Sequence, residues 1–447
     1  MELITDFLST IGYLVLALFI LVTFHELGHF LAARLFGMRV DRFSIGFPPR
    51  LVGFVKGDTD YCISATPLGG YVKIAGLMDE TMDDSHAESE PQPWEYRSKP
   101  VWQRMIVISA GVIFNVILAI IIYTVVTFSY GEQVIPAVNV PGVYVAEGSF
   151  MHEMGFNSGD KLVKINGQTP IYFRDFFNVS ELTVSSIAYT VEREGRLVDI
   201  KLPTDFLDKA RDEKLVSIID AIPSEISKVV PSSPADQGGL KPGDKLIQIN
   251  GAEVGYWVQM TDLIKNAESS LAINVKRGLD TLSLSVTPDP DTKTIGVQMV
   301  DPIQFFGAME VEHGFGTSIA TGFQRSMDTL LGTIRGIMKI ASGELAIKDN
   351  LGGPVAIATV TKEMSEQGGY RGFWEITAFL SLSLAVMNML PIPVLDGGHL
   401  VFLFYEAITR RQPSERIKGI FQQAGFILIL VLVVYVTFND IVRALGL

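Results

Sequence analysis

From Leu8 to Phe24 the chain carries no charged side chain, and after His29 it stays apolar to Ala33. Between Asp6 and Arg34 the one formal charge is Glu26. About 20 apolar residues in a helix cross the hydrocarbon core of a bilayer. A chain with this segment is therefore committed to placing a helix in lipid. Inside the segment stands His25-Glu26-Leu27-Gly28-His29, the pattern H-E-x-x-H. Residues four apart lie one above the other on a helix face, so both imidazoles point at one metal ion. The carboxylate between them lies near the water that such an ion activates. Ionisable side chains are costly in lipid and mark functional sites there. Three within a turn and a half ask for a metal rather than for packing.

The remaining composition fits a protein that is only partly membrane. Of 447 residues, 48% are hydrophobic and 19% charged, too apolar for an ordinary soluble protein and too polar for an all-membrane transporter. A net charge of -13 speaks against nucleic acid as a partner. The single cysteine, Cys62, excludes an intramolecular disulfide. Met1 to Phe7 holds acids but no Lys or Arg, and no small-residue cleavage site follows the apolar run. The segment is thus expected to stay attached rather than be removed as a signal peptide.

Four uncharged runs are expected to span the bilayer: Leu8 to Phe24, extended through the motif, Ile106 to Phe128, Ile376 to Leu395, and Gly419 to Asn439. Nine Lys and Arg residues lie between Arg34 and Arg104, and Arg410, Arg411, Arg416 and Lys418 lie between the last two runs. The positive-inside rule puts both loops in the cytoplasm, and both termini and the long central segment outside. His25 and His29 then share the cytoplasmic depth of the residues after Leu395. In the first loop, Val40 to Gly46 and Tyr61 to Val72 read as paired strands, either dipping into the membrane against the motif helix or forming a surface hairpin. Asp79 to Pro93, acidic and Pro-containing, reads as flexible. Phe315 to Ala341 has helical apolar spacing with Arg325, Arg335 and Lys339 interspersed, which suits an interfacial helix or a soluble core helix.

The central segment repeats itself. Val163-Lys164-Ile165-Asn166-Gly167 matches Ile247-Gln248-Ile249-Asn250-Gly251 at an offset of 84 residues. The same offset aligns Ser149 with Ser233, Gly155 with Gly239 and Asp160 with Asp244. A fixed offset of domain size means that one small fold is duplicated. The pattern resembles bacterial, circularly permuted PDZ domains, which hold extended peptides by strand addition. Two β domains without a ligand remain the other reading.

A catalytic zinc takes three protein ligands and keeps one position open. Of the remaining histidines and acids, Asp396 and His399 lie at the right depth. Asp396 is favoured, because it follows Pro391 and Pro393, which break the helix and free backbone, and precedes Gly397 and Gly398, which let the chain come close to a metal. Asn388 puts an amide inside the third span, to bond either a substrate peptide and its developing oxyanion or a neighbouring helix.

H-E-L-G-H in the first span, Pro67-Leu68-Gly69-Gly70-Tyr71-Val72-Lys73 in the loop, the two PDZ-like copies, and Asn388 to Gly398 together resemble the site-2 protease family along nearly the whole chain. The resemblance implies a polytopic α-helical membrane protein with four transmembrane helices, a membrane-associated β-hairpin region and two tandem α+β PDZ domains. It implies Zn2+ held by His25, His29 and Asp396, with Glu26 as base. It also implies an edge strand over Gly69, Gly70, Tyr71 and Val72 that pairs with unwound substrate. The expected activity is cleavage, within the bacterial inner membrane, of transmembrane substrates of the anti-sigma-factor type once these have been trimmed. PDZ domains on the periplasmic side would limit which substrates enter. Relatives tend to carry a Gly-Phe-Gly turn where this chain has Gly46-Phe47-Pro48-Pro49. The expected segments are 1–35, 36–100, 101–130, 131–222, 223–305, 306–370, 371–400 and 401–447. A membrane-anchored PDZ scaffold with a vestigial metal site is the alternative, and it would have no use for Glu26.

Overall fold

The computed structural model describes residues 2–77, 90–177, 187–203, 218–290, 292–343 and 352–444. Most of the stretch expected to be flexible, 79–93, lies outside them. The chain forms two compact units: one from the chain up to Tyr130 and from Glu312 on, the other from Gly131–Val311.

The first unit is helical. Helix α1 runs Glu2–Leu35, and Gly37, at φ 63°, turns the chain out of it. Helix α2 is Val101–Tyr130, α3 is Phe315–Ala341, α4 is Pro354–Met389, α5 is Asp396–Thr409 and α6 is Glu415–Ala444. Four stretches among the described residues are long and apolar enough to cross a membrane: Ser9–Leu35, Val101–Tyr130, Pro354–Met389 and Ile417–Asp440. All four overlap the expected spans. The third differs in its limits. It was expected over Ile376–Leu395; the helix is kinked at Gly369, at φ 57°, and stops at Met389 although the apolar run continues. Leu390 precedes Pro391 and sits at ψ 145°, in the extended region that a following proline imposes. Asp396 therefore starts a new helix instead of ending the old one. At its other end α4 begins at Pro354, where the fixed φ of proline suits the first helical position. Asp440 of α6 accepts hydrogen bonds from Gly353 N (3.2 Å) and Ala356 N (2.9 Å), satisfying amides that a helix start leaves open.

Helices α1, α2 and α4 share an apolar core that includes Leu21, Leu118, Ile122, Ala378 and Leu382. Helices α1 and α2 cross closely. A Cβ on Gly28 would stand 2.4 Å from Ala110 O, so no larger residue fits there without a shift. Ser381 of α4 donates to the carbonyl of Asn115 on α2 at 2.8 Å. Arg104 of α2 grips Glu406 of α5 with two hydrogen bonds, of 2.6 and 3.0 Å, and both side chains are largely buried. Forked guanidinium–carboxylate pairs of this kind fix orientation as well as adding energy. Helix α3 has an apolar, largely exposed face (Phe315, Ile319, Phe323, Met338), while Arg325 lies over the Tyr123 ring and pairs with Glu375.

Strands β1 (Val40–Lys56) and β2 (Thr59–Ile74) form the hairpin region, and each folds back on itself. Phe43 pairs with Val72 on one side and Tyr61 on the other, while Phe54 also pairs with Tyr61. The order across this small sheet is therefore 52–56, 59–63, 42–45, 70–74. The outermost run carries Val52, Phe54 and Val55, all exposed, with exposed Leu51 just before it.

The second unit is mixed α and β, and its duplication shows in its contacts. Strands β3 (Lys161–Ile165), β4 (Ala188–Arg193) and β5 (Arg196–Lys201) make one antiparallel sheet. Strands β6 (Lys245–Ile249), β7 (Ala252–Glu253), β8 (Leu271–Arg277) and β9 (Asp280–Val286) make another, in the order β9-β8-β6-β7. Arg193 donates to both oxygens of fully buried Asp160, and Arg277 does the same to Asp244, 84 residues on. Asn166 and Asn250, both at φ 50°, accept from Ala188 N and Ala272 N through Oδ1. At the matching place after their first strands the second copy has a helix at Trp257–Lys265, and the first has a 3-10 helix at Phe173–Phe177, followed by residues that are not described. One apolar core runs through both.

Candidate metal centre

Helical spacing does what it promised. His25 and His29 are buried on one face of α1, their rings edge to face with centroids 4.8 Å apart. Their Nε2 atoms are 3.1 Å from each other. The carboxylate of Asp396, at the first position of α5, arrives from 367 residues further along the chain than His29. Its Oδ2 is 3.3 Å from His25 Nε2 and 3.5 Å from His29 Nε2. These are contact distances only, since no hydrogen bond satisfies that buried oxygen.

The donor set fits a metal ion. Three ligand atoms about 2.0–2.2 Å from one centre, in tetrahedral array, lie roughly 3.3–3.6 Å apart. Of the observed separations, 3.3 and 3.5 Å fall in that range and 3.1 Å, between the two imidazoles, lies just below it. The three residues also form the one such group among the described residues. His29 shows the expected outer partner, since Nδ1 lies 2.8 Å from Val107 O and can donate to it. That bond leaves the Nε2 lone pair for a metal.

The environment is a cradle of backbone. A Cβ on Gly111 of α2 would stand 2.4 Å from His29 Nε2 and 2.6 Å from His25 Cε1, so the two imidazoles lie directly on bare helix backbone. On the other side, a Cβ on Gly398 would meet Ile392 O at 2.5 Å, and one on Gly425 of α6 would meet Pro393 Cβ at 2.2 Å. Residues 390–395 are thus held between α5 and α6. Val394 within them adopts φ 80°, which a β-branched residue takes only under strain.

Of the other residues singled out by sequence, Asn388 is at the site, with Nδ2 3.3 Å from His25 Nε2. His399 is one turn along α5 and outside the three-ligand group. Glu26 is buried, and a Cβ on Gly70 would come 3.2 Å from its Cγ. The Gly70–Ile74 run therefore lies against α1 beside the carboxylate. Two residues at the site went unread in the sequence. Gly111 gave no signal. Asn115, fully buried, places Nδ2 3.3 Å from His25 Nδ1. A lone amide in an otherwise apolar span was the clue to it.

Helices long and apolar enough to cross a membrane thus enclose two histidines, an aspartate and a glutamate, a donor set suited to a metal-dependent hydrolase. Residues 13–432 match peptidase family M50. The regulator of sigma E protease of Haemophilus influenzae is 31% identical over 98% of this chain and 100% of its own length. The regulator of sigma-E protease RseP of Escherichia coli K12 is 30% identical over 98% and 99%. A putative zinc metalloprotease of Neisseria meningitidis is 29% identical over 98% and 100%. The chain belongs to peptidase family M50, the site-2 proteases, a family whose metal is zinc. A solved PDZ domain of HtrA3, bound to a phage-derived ligand, covers 18% of the chain at 28% identity with a TM-score of 0.15, too slight a likeness to carry an argument.

Proposed function

We propose that the protein is an intramembrane zinc endopeptidase, with His25, His29 and Asp396 as ligands and Glu26 as general base. One observation carries the reading: three ligand atoms converge at tetrahedral spacing, inside apolar helices, beside a buried carboxylate that is not one of them. Zinc held there supplies a Lewis acid that polarises a carbonyl and acidifies water. Glu26, one residue from His25, is placed to take the water's proton and return it to the leaving amine. Asn388 is placed to hold the substrate's peptide group or its developing negative charge.

A transmembrane substrate keeps its peptide groups bonded within its own helix and must unwind before a peptidase can reach them. Gly69 to Val72 offers the freed backbone a partner. Among the described residues Gly70–Val72 pairs on one side only, with Phe43–Ile45, and it borders Glu26. The Haemophilus and Escherichia relatives are named as regulators of sigma E, and we take a transmembrane substrate of the anti-sigma-factor type, in the bacterial inner membrane, as the reading that suits such a role. The basic loops favour a cytoplasmic-side site, with the termini and the duplicated segment on the periplasmic side. We read that segment as tandem PDZ domains, on the strength of the repeated contacts, and as a filter against untrimmed substrate.

The test is Glu26→Gln in purified protein. It should keep about one zinc per chain and lose roughly two or more orders of magnitude in cleavage of a membrane-spanning substrate. Near-normal turnover would remove Glu26 from the mechanism, and a wild-type protein that binds no zinc would remove the peptidase reading itself.

A further inference from the structure

The two imidazoles are not supported alike. A neutral histidine that ligates through Nε2 carries its proton on Nδ1, and that proton needs an acceptor to fix ring and tautomer. His29 has one in the carbonyl of Val107. His25 presents Nδ1 to the side chain of Asn115, whose nearer atom is Nδ2, at 3.3 Å. An NH2 group cannot accept a proton. In that orientation it would donate to Nδ1 and force the His25 proton onto Nε2, the atom aimed at Asp396 and His29. The same amide has its Oδ1 buried with no hydrogen-bond partner. The two ends of an amide are nearly isosteric, and turning it over brings Oδ1 to the place beside His25 Nδ1.

We infer that Asn115 is a positioning residue for the metal: its Oδ1 accepts the Nδ1 proton of His25 and so leaves the Nε2 lone pair to the ion. The assignment rests on the zinc reading given above. One turn takes the donor away from His25 Nδ1, gives the orphaned oxygen a partner, and makes the outer support of His25 equivalent to that of His29; the NH2 group then takes the buried place that Oδ1 leaves. Asn115 is well anchored for the task. It is fully buried, and its own carbonyl accepts from Ser381 of α4, a contact made by backbone that no side-chain substitution removes.

Zinc affinity, measured by chelator competition on the full chain in detergent, tests this. Asn115→Leu has similar size and no acceptor, and should bind zinc about 10- to 100-fold more weakly. Asn115→Asp keeps an acceptor oxygen at the same place and should stay within a few-fold of wild type. Asn115→Ala repeats the loss in a strong helix former, should the leucine variant accumulate poorly. The visible spectrum of the Co2+-loaded protein gives a second readout. It should change in the leucine and alanine variants and persist in the aspartate variant. Wild-type affinity in both Asn115→Leu and Asn115→Ala overturns the inference and leaves the zinc site standing. So does an aspartate variant as weak as the leucine one, because the amide N–H would then be what matters. A wild-type protein without zinc overturns the inference together with the reading beneath it.

Discussion

The proposed metal centre is built from two halves made in different ways. The α1 half is a regular helix. Its two imidazoles meet because 3.6 residues per turn bring positions four apart together, and any sound helix would do this. The Asp396 half is a broken turn between two helices. It contains two prolines and a valine at φ 80°, and Gly398 and Gly425 leave room for it. The first half is held by its own hydrogen bonds, and the second by its neighbours. Periodicity thus fixes ligands locally, whereas a ligand from far along the chain depends on close packing. The Asp396 half should therefore be the more easily disturbed of the two by changes away from the ligands.

The largest effect comes from the ligands themselves, where the halves should not differ. Asp396→Ala and His29→Ala should each bring zinc content from about one per chain to near zero, since a site with three protein ligands and one open position cannot spare a ligand. His399→Ala should keep its zinc. Metal analysis of the three purified variants decides this. Zinc lost with His399 and kept without Asp396 would mean that the second half has been drawn around the wrong residue.

How far each half was legible follows from the same contrast. H-E-x-x-H in an uncharged run announces both its geometry and its setting. Asp396 was singled out by depth and by its prolines and glycines. The uncharged run to Leu395 overshoots the end of α4 because Ile392, Val394 and Leu395 look as apolar as a helix, while the two prolines did announce the break before Asp396. Gly111 and Gly425 were invisible, since a glycine under a ligand or a loop records what another element needs. Asn115 carried a readable signal in its polarity, but its partner lies 90 residues away. The duplication could be read directly, because the 84-residue offset repeats the serine, the aspartate and the asparagine of one fold.

Next in size are the cradles. A Cβ at residue 111 would press on His29 Nε2, whereas one at residue 425 would press on Pro393, away from any ligand. Gly111→Ala should cost most of the activity by displacing the imidazoles. Gly425→Ala should lower zinc affinity through the loop alone, which would show that α6 sets the position of Asp396. Alanine at Gly419, which has open space around it, is the control. A Gly425→Ala protein with wild-type zinc affinity would end the claim that the second half depends on its neighbours.

A smaller effect belongs to the strand beside α1. Tyr71→Pro and Val72→Pro remove a backbone donor, while the alanine variants keep it. At equal expression the prolines should slow cleavage more than the alanines and leave zinc content unchanged. Equal effects would reduce Gly69 to Val72 to a surface hairpin.

The smallest effect puts the same residue into each half. Leu27 lies inside α1 between the histidines, so Leu27→Gly should destabilise by about 1 kcal/mol for lost helix propensity, with lost packing added. Val394 already holds a backbone conformation that glycine adopts freely. Strain of this kind costs about 1–3 kcal/mol, and glycine releases it. Against that gain stand the entropy of a freer unfolded chain, about 0.5–1 kcal/mol, and the contacts of a half-buried side chain. The terms nearly cancel. Val394→Gly should therefore leave the detergent melting temperature within a few degrees of wild type, while Leu27→Gly lowers it clearly. Equal losses from the two would mean that the turn before Asp396 is unstrained, and that the two halves are held in the same way after all.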